Sequence, residues 1–239
     1  MELFTVEKLT KKFGKKVVLD NITINFKEDT TVIVGLNGSG KTVFLNSITG
    51  ILNIDSGTIA IDGFKPDSKE FKERIFYIPS DFYLPEYMTG KEYAYFIMSR
   101  YTKSSYQLFI EIIKLLDMSN YLDQPLESYS FGMKKKIQLA IMFATPTPYI
   151  IADEIFSGLD LETSIIIQEL FFKIIGKRKI ILVSHEKNII AKFSDNILVM
   201  SDGTLTKYRQ DPNLIDDFIK RGEQIDDKTK YIKQLFDSL

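Results

Sequence analysis

The sequence predicts an α/β protein: a largely parallel sheet, an N-terminal antiparallel β lobe, and a block of helices inserted between strands. Three observations carry the prediction. Residues 31–34, 149–152, 179–183 and 197–200 are short apolar runs, and the last three are separated by helical sequence, as in parallel strands covered on both faces. Residues 17–26 alternate instead, with Ile22, Ile24 and Phe26 set against Asn21, Thr23 and Asn25, so that one face is wet. From about 86 to 144 the pattern is helical throughout, although strands lie on either side of it.

In chain order, 4–6 and 17–26 read as strands of the antiparallel lobe, and 31–34 as a buried strand of the main sheet. A helix is expected from about 40 to 49, stopped by Gly50. Ser56-Gly57 opens a strand pair around 58–61 that Asp62-Gly63 closes, and 75–78 is a short strand ended by Pro79. The helical block opens with Met88-Thr89-Gly90-Lys91-Glu92 and continues over 104–118 and 132–143 as an inserted subdomain. Asp202-Gly203 turns the chain into a last strand, 204–208. Leu214, Phe218 and Ile219, then Tyr231, Ile232, Leu235 and Phe236, predict a helical tail over about 213–239. The whole chain, 1–239, reads as one domain with no internal repeat.

Composition excludes several classes. With 44% hydrophobic residues the chain fills a sizeable core. Its 31 basic and 32 acidic residues leave a charge of −1, which gives no push toward nucleic acid or anionic lipid. No cysteine is present, so disulfides and thiolate metal sites are excluded. No apolar run approaches the roughly 20 residues of a membrane span. The N-terminus lacks a signal-peptide core, and the chain reads as cytoplasmic.

The strongest chemical signal is Gly35-Leu36-Asn37-Gly38-Ser39-Gly40-Lys41-Thr42-Val43, which matches the phosphate-binding P-loop. Its glycines let successive N–H groups converge on phosphate oxygens, and the helix that follows adds a positive N-terminal dipole. Lys41 reaches the β- and γ-phosphates in such a loop, and Thr42 offers its hydroxyl to Mg²⁺. A glycine turn before a surface lysine is the plain alternative; a strand before the loop and a helix after it argue against that. A P-loop by itself means nucleotide, not function.

A second constellation begins at Asp153-Glu154, directly after the apolar run 149–152. Asp153 is placed to hold Mg²⁺, and Glu154 to orient or deprotonate the water that attacks the γ-phosphate. His185, the single histidine, follows the apolar run 179–183 and Ser184. One histidine builds no metal cluster, and it reads either as a hydrogen-bonded strand-end residue or as a donor that holds the γ-phosphate and Glu154 in line.

The ordered motifs Gly35 to Thr42, Tyr129-Ser130-Phe131-Gly132-Met133, Asp153-Glu154, Ser157-Gly158-Leu159-Asp160 and His185 resemble the ATP-binding cassette (ABC) family, specifically the nucleotide-binding subunit of a transporter. The resemblance spans nearly the whole chain. It implies an ATPase with ATP and Mg²⁺, a P-loop core with an antiparallel and a helical lobe, a second nucleotide-binding subunit, and a separate transmembrane permease that holds the chain at the inner face of the membrane. It also implies that Ser130 and Gly132 bind the γ-phosphate held by the second subunit's P-loop, that residues 157–160 communicate between the two sites, and that Phe13 stacks on adenine, its alternative being a strand-edge core residue.

Some residues depart from the family pattern. Ser80 stands where a Gln normally reaches the metal and the attacking water, so weaker hydrolysis or coupling is expected. Val43 replaces a second loop hydroxyl, and Ile155-Phe156 replaces Pro-Thr. Phe131 replaces the first signature glycine, and Tyr-Ser-x-Gly-Met-Lys resembles exporters of the bacitracin-resistance type, which implies export of a peptide or drug. The aromatics Phe82, Tyr83, Tyr87, Tyr93, Tyr95 and Phe96 read as a docking groove for the permease, or else as core. The rival readings are a soluble cassette ATPase acting in assembly or translation, and a P-loop kinase.

Overall fold

The computed structural model describes residues 3–81, 83–193 and 195–215. Strands β1 (Phe4–Phe13), β2 (Lys16–Phe26) and β4 (Ser56–Ile61) form an antiparallel sheet in the order β2-β1-β4. The larger sheet holds β3 (Thr30–Val34), β5 (Ile75–Ile78), β6 (Tyr149–Asp153), β7 (Lys179–Val183), β8 (Ile197–Ser201) and β9 (Thr204–Tyr208). Its order is β5-β6-β7-β3-β8-β9, parallel except for β9.

The apolar runs alternate between two cores. Val32, Val34, Ile150, Ala152, Ile180 and Leu182 face the core built with the helical block. Ile33, Tyr149, Ile151, Ile181 and Val183 face the opposite core, shared with Phe4, Leu9, Leu19 and Phe26 of the antiparallel lobe. Period-two side-chain alternation places each set on its own face, so the strands lack polar positions because neither face meets water.

Helices α1 (Lys41–Ile48) and α2 (Lys69–Lys72) precede β5. Between β5 and β6 lie α3 (Gly90–Met98), α4 (Tyr106–Leu115) and α5 (Phe131–Ala144). Thr89 and Glu92 close a capping box on α3, and Ser105 caps α4, which satisfies N–H groups that a helix end leaves free. After β6, α6 (Leu161–Ile174) and α7 (Lys187–Lys192) connect the remaining strands.

Two expectations need correction. The strand read at 4–6 runs to Phe13, because register shifts after Val6 and after Leu9 and a positive φ of 49° at Lys8 break the alternation that would reveal it. The pair expected around 58–61 is a single strand, β4, whose partner is β1. Of the expected tail, Pro212–Leu214 is a 3₁₀ turn, and 216–239 lies outside the described residues, as does Phe82. Both Asp-Gly pairs, 62–63 and 202–203, take positive φ at both residues, as a tight hairpin turn requires.

Candidate functional site

Neighbouring strands β5, β6, β7 and β3 each deliver one piece of the site from their C-terminal ends. That is where an open α/β sheet binds ligands. The β3 end becomes the loop 35–40, in which Gly35, Gly38 and Gly40 have φ of 152°, 83° and 105°. A Cβ at Gly35 would lie 2.3 Å from the Met200 carbonyl of β8, so only glycine lets the loop pass there.

Lys41, 7% exposed, donates from Nζ to the Gly35 carbonyl at 2.7 Å and the Leu36 carbonyl at 2.9 Å. Burial pushes its pKa below the usual ammonium range, against the pull of Glu154 and Asp153. Ser39 Oγ is buried with no hydrogen-bond partner among the described residues. Such an orphan is costly unless a ligand completes it. A groove of about 400 Å³ opens beside the loop, lined in part by Lys16, Val18, Asn37, Ser39 and Asp202.

The Thr42 hydroxyl donates to Asp153 Oδ2 at 2.8 Å, which joins the two candidate metal oxygens. Asp153 is 2% exposed. Burial raises its pKa, Glu154 adds to that, and hydrogen bonds from Thr42 and Ser80 with the charge of Lys41 oppose it. The Ser80 hydroxyl thus favours the charged form of the Asp153 carboxylate.

Glu154 holds a left-handed backbone, φ 50°, and its N–H continues the ladder to the Val183 carbonyl at 3.0 Å. Its Oε1 lies 3.2 Å from His185 Nε2. Burial lowers the His185 pKa, Lys41 lowers it further, and Glu154 and Asp153 pull it back. This environment favours the neutral imidazole.

Phe13 ends β1 with 51% of its surface exposed and Lys11 Nζ 5.4 Å from its ring centroid. It is not a core residue. Its cross-strand partner Lys16 begins the strand that lines the groove. Ser130 caps α5, its Oγ accepting the Met133 N–H at 3.3 Å, and Gly132 lies in the first turn of that helix. The half-exposed Phe131 ring rests on Gly158, where an added Cβ would meet it at 3.0 Å.

Two features were not read from the sequence: the influence of Ser80 on Asp153, and Lys135, which donates from α5 to the Glu154 and Ser157 carbonyls. The only sequence signal for the second is that Lys134, Lys135 and Lys136 cannot all share one face of a helix.

A phosphate-binding loop joined to a strand-end carboxylate pair and a histidine defines a nucleotide-hydrolysing P-loop protein. The ABC transporter family profile matches residues 19–157, more than half of the chain. The chain belongs to that family as an ATP-binding, ATP-hydrolysing transporter subunit. It is 27% identical to the phosphonates import ATP-binding protein PhnC of Fusobacterium nucleatum, over 92% of this chain and 97% of that one. It is 26% identical to the petrobactin import ATP-binding protein YclP of Bacillus subtilis, over 84% of each. Among solved structures, an ATP-binding subunit of an ABC transporter superposes with a TM-score of 0.81 at 22% identity, over 91% of this chain and 94% of that one. A dimeric ATP-binding cassette in a post-hydrolysis state with ADP and Pi gives 0.75 at 23%, over 87% and 99%. Among the described residues no helix is long and apolar enough to cross a membrane.

Proposed function

We propose that two cassettes, this chain paired with a second copy or with a related subunit, close around ATP so that the P-loop of one faces Ser130 and Gly132 of the other. The observation that carries the catalytic half is the convergence of these groups: Thr42 donates to Asp153, His185 lies 3.2 Å from Glu154, and Lys41 feels the charge of both carboxylates. The other half is supported by Ser130 at the exposed start of α5, where the helix dipole favours an anion.

In this reading the loop N–H groups, the orphaned Ser39 hydroxyl and Lys41 bind the phosphates. Phe13 stacks on the base. Glu154 takes the proton of the attacking water, and His185 fixes the carboxylate through its N–H. Among the described residues no three His, Cys, Asp or Glu side chains could hold a metal alone. Thr42 and Asp153 supply two hard oxygens, which suits Mg²⁺ bound jointly by protein and phosphates. When bound, Mg²⁺ supplies neutralisation of the charge that develops on the phosphates.

The permease is assigned to the helical block. Tyr83, Tyr87 and Tyr95 are exposed, at 101%, 85% and 70%. A groove of about 950 Å³ lies beside α3, lined by Met88, Tyr95, Phe96, Met98, Tyr101 and Tyr106 among others. Tyr93 packs on the core instead. Docking there places the chain at the cytoplasmic face of a membrane as one ATPase domain, with the transport path in the permease. The Tyr129-Ser130-Phe131-Gly132-Met133-Lys134 pattern supports export of a peptide or drug, while the names of the relatives at 26–27% identity favour import as the second reading.

Glu154→Gln tests the pairing. With ATP it should elute from gel filtration as a dimer that ADP does not produce, and a monomer at saturating ATP would refute the two-cassette site. Substrate movement in inside-out vesicles carrying the permease separates export from import.

A further inference from the structure

Lys135 is a buried charge that the scheme above leaves without a role. It is 2% exposed, and its neighbours are not: Lys134 pairs with Glu86 and Lys136 with Asp160 at the surface. Its Nζ donates to the Glu154 carbonyl at 2.8 Å and also to the Ser157 carbonyl. The same Glu154 carbonyl accepts the Ser157 N–H at 3.2 Å. Burial pushes the Lys135 pKa down, and Glu154, Glu186 and Asp153 pull it back, so those carboxylates help keep it charged.

These bonds fall on a strained residue. A non-glycine residue with φ of 50°, as at Glu154, costs about 1–3 kcal/mol and persists only where its surroundings hold it. If the carbonyl were released, Glu154 could relax, and relaxation would move its carboxylate away from His185 Nε2, now at 3.2 Å. Lys135 also lies five residues beyond Ser130, on the same helix, and so about 8 Å along a rigid rod. A shift of the α5 start is therefore carried directly to the backbone of Glu154.

We propose that Lys135 is a positioning residue that locks Glu154 in its hydrolytic geometry and links it to the Ser130 end of α5, so that a triphosphate seated on Ser130 by the second cassette sets the water-activating group of this one. The linkage to Ser130 rests on the two-cassette reading. The positioning of Glu154 does not.

Lys135→Met keeps the side-chain length and removes the donors, and Lys135→Arg keeps donors. Loss of positioning alone should lower kcat by about 10- to 100-fold, with ATP affinity, measured by titration of a fluorescent ATP analogue, and the unfolding temperature both near wild type. Lys135→Arg should restore most of the rate, since its guanidinium offers several N–H donors. In the Glu154→Gln background, Lys135→Met should leave the ATP-dependent dimer intact. A monomeric Glu154→Gln parent would remove the two-cassette reading and still leave the kcat result to judge the positioning role. An unchanged kcat in Lys135→Met, or a fall matched by lost ATP binding or lost thermal stability that Lys135→Arg does not rescue, would overturn the proposal.

Discussion

Lys41→Ala separates a lysine that holds a loop together from one that holds phosphate. In the structure Nζ makes two hydrogen bonds, to the Gly35 and Leu36 carbonyls. Hydrogen bonds to a charged group contribute about 1.5–3 kcal/mol each, but taking an ammonium out of water costs several kcal/mol. Burial is the leading influence on this lysine and lowers its pKa, so the two effects largely cancel. The nucleotide-free variant should unfold within about 2–4 °C of wild type, the shift that about 1 kcal/mol produces at this chain length. Facing phosphate, two charge-assisted bonds are lost with no such offset, about 3–6 kcal/mol, or about 10²–10⁴ in Kd. Calorimetric titration with ATP and a thermal melt without it measure both. A Kd within threefold of wild type, or a large loss of stability with binding retained, would refute the assignment of Lys41 to the phosphates.

The other predictions address the edges of the site. Phe13→Ala should leave stability unchanged, because the ring is half exposed; it should weaken ATP by about 1–3 kcal/mol and leave tripolyphosphate binding intact, as competition titrations would show. Ser80→Ala removes a hydroxyl that favours the charged form of Asp153, and the Mg²⁺ concentration for half-maximal ATPase should rise by about 2- to 13-fold, the equivalent of about 0.5–1.5 kcal/mol. His185 is the single histidine, so one imidazole resonance reports it by NMR, and it should titrate below its ordinary 6.5. The unfolded chain then binds the extra proton first, so stability contributed above 6.5 declines as pH falls through that window to the lowered value. A midpoint at or above 6.5 would contradict the packing around it. In Lys41→Ala the midpoint should move up, since a positive neighbour is gone.

Much of this was written locally. The P-loop announces itself because its glycines have no substitute: the carbonyl of Met200 stands where a Cβ at Gly35 would go. The parallel strands were legible because burial on both faces removes polar residues, and Asp153-Glu154 and His185 followed from where those strands end. What stayed hidden is what depends on three dimensions. β1 beyond Val6 is polar and bulged, and Lys8 takes a left-handed turn within it, so neither period nor propensity marks it. Lys135 looks like one more solvated charge in a basic run until α5 turns it inward. Ser80 reads as a loss against the family pattern, and only the closeness of β5 to β6 brings it near enough to influence Asp153.

The strand order β5-β6-β7-β3 has one more implication. Adjacent strands sit about 4.8 Å apart, so the chemistry fits on a front roughly 15 Å wide, with each strand tip contributing a separate tool. The hydrogen-bonded ladder sets the spacing of those tips, and the links between strands do not have to. A segment as long as α3 to α5 can therefore be spliced between β5 and β6 and reshaped to meet a new partner, while the cutting edge beside it keeps its dimensions.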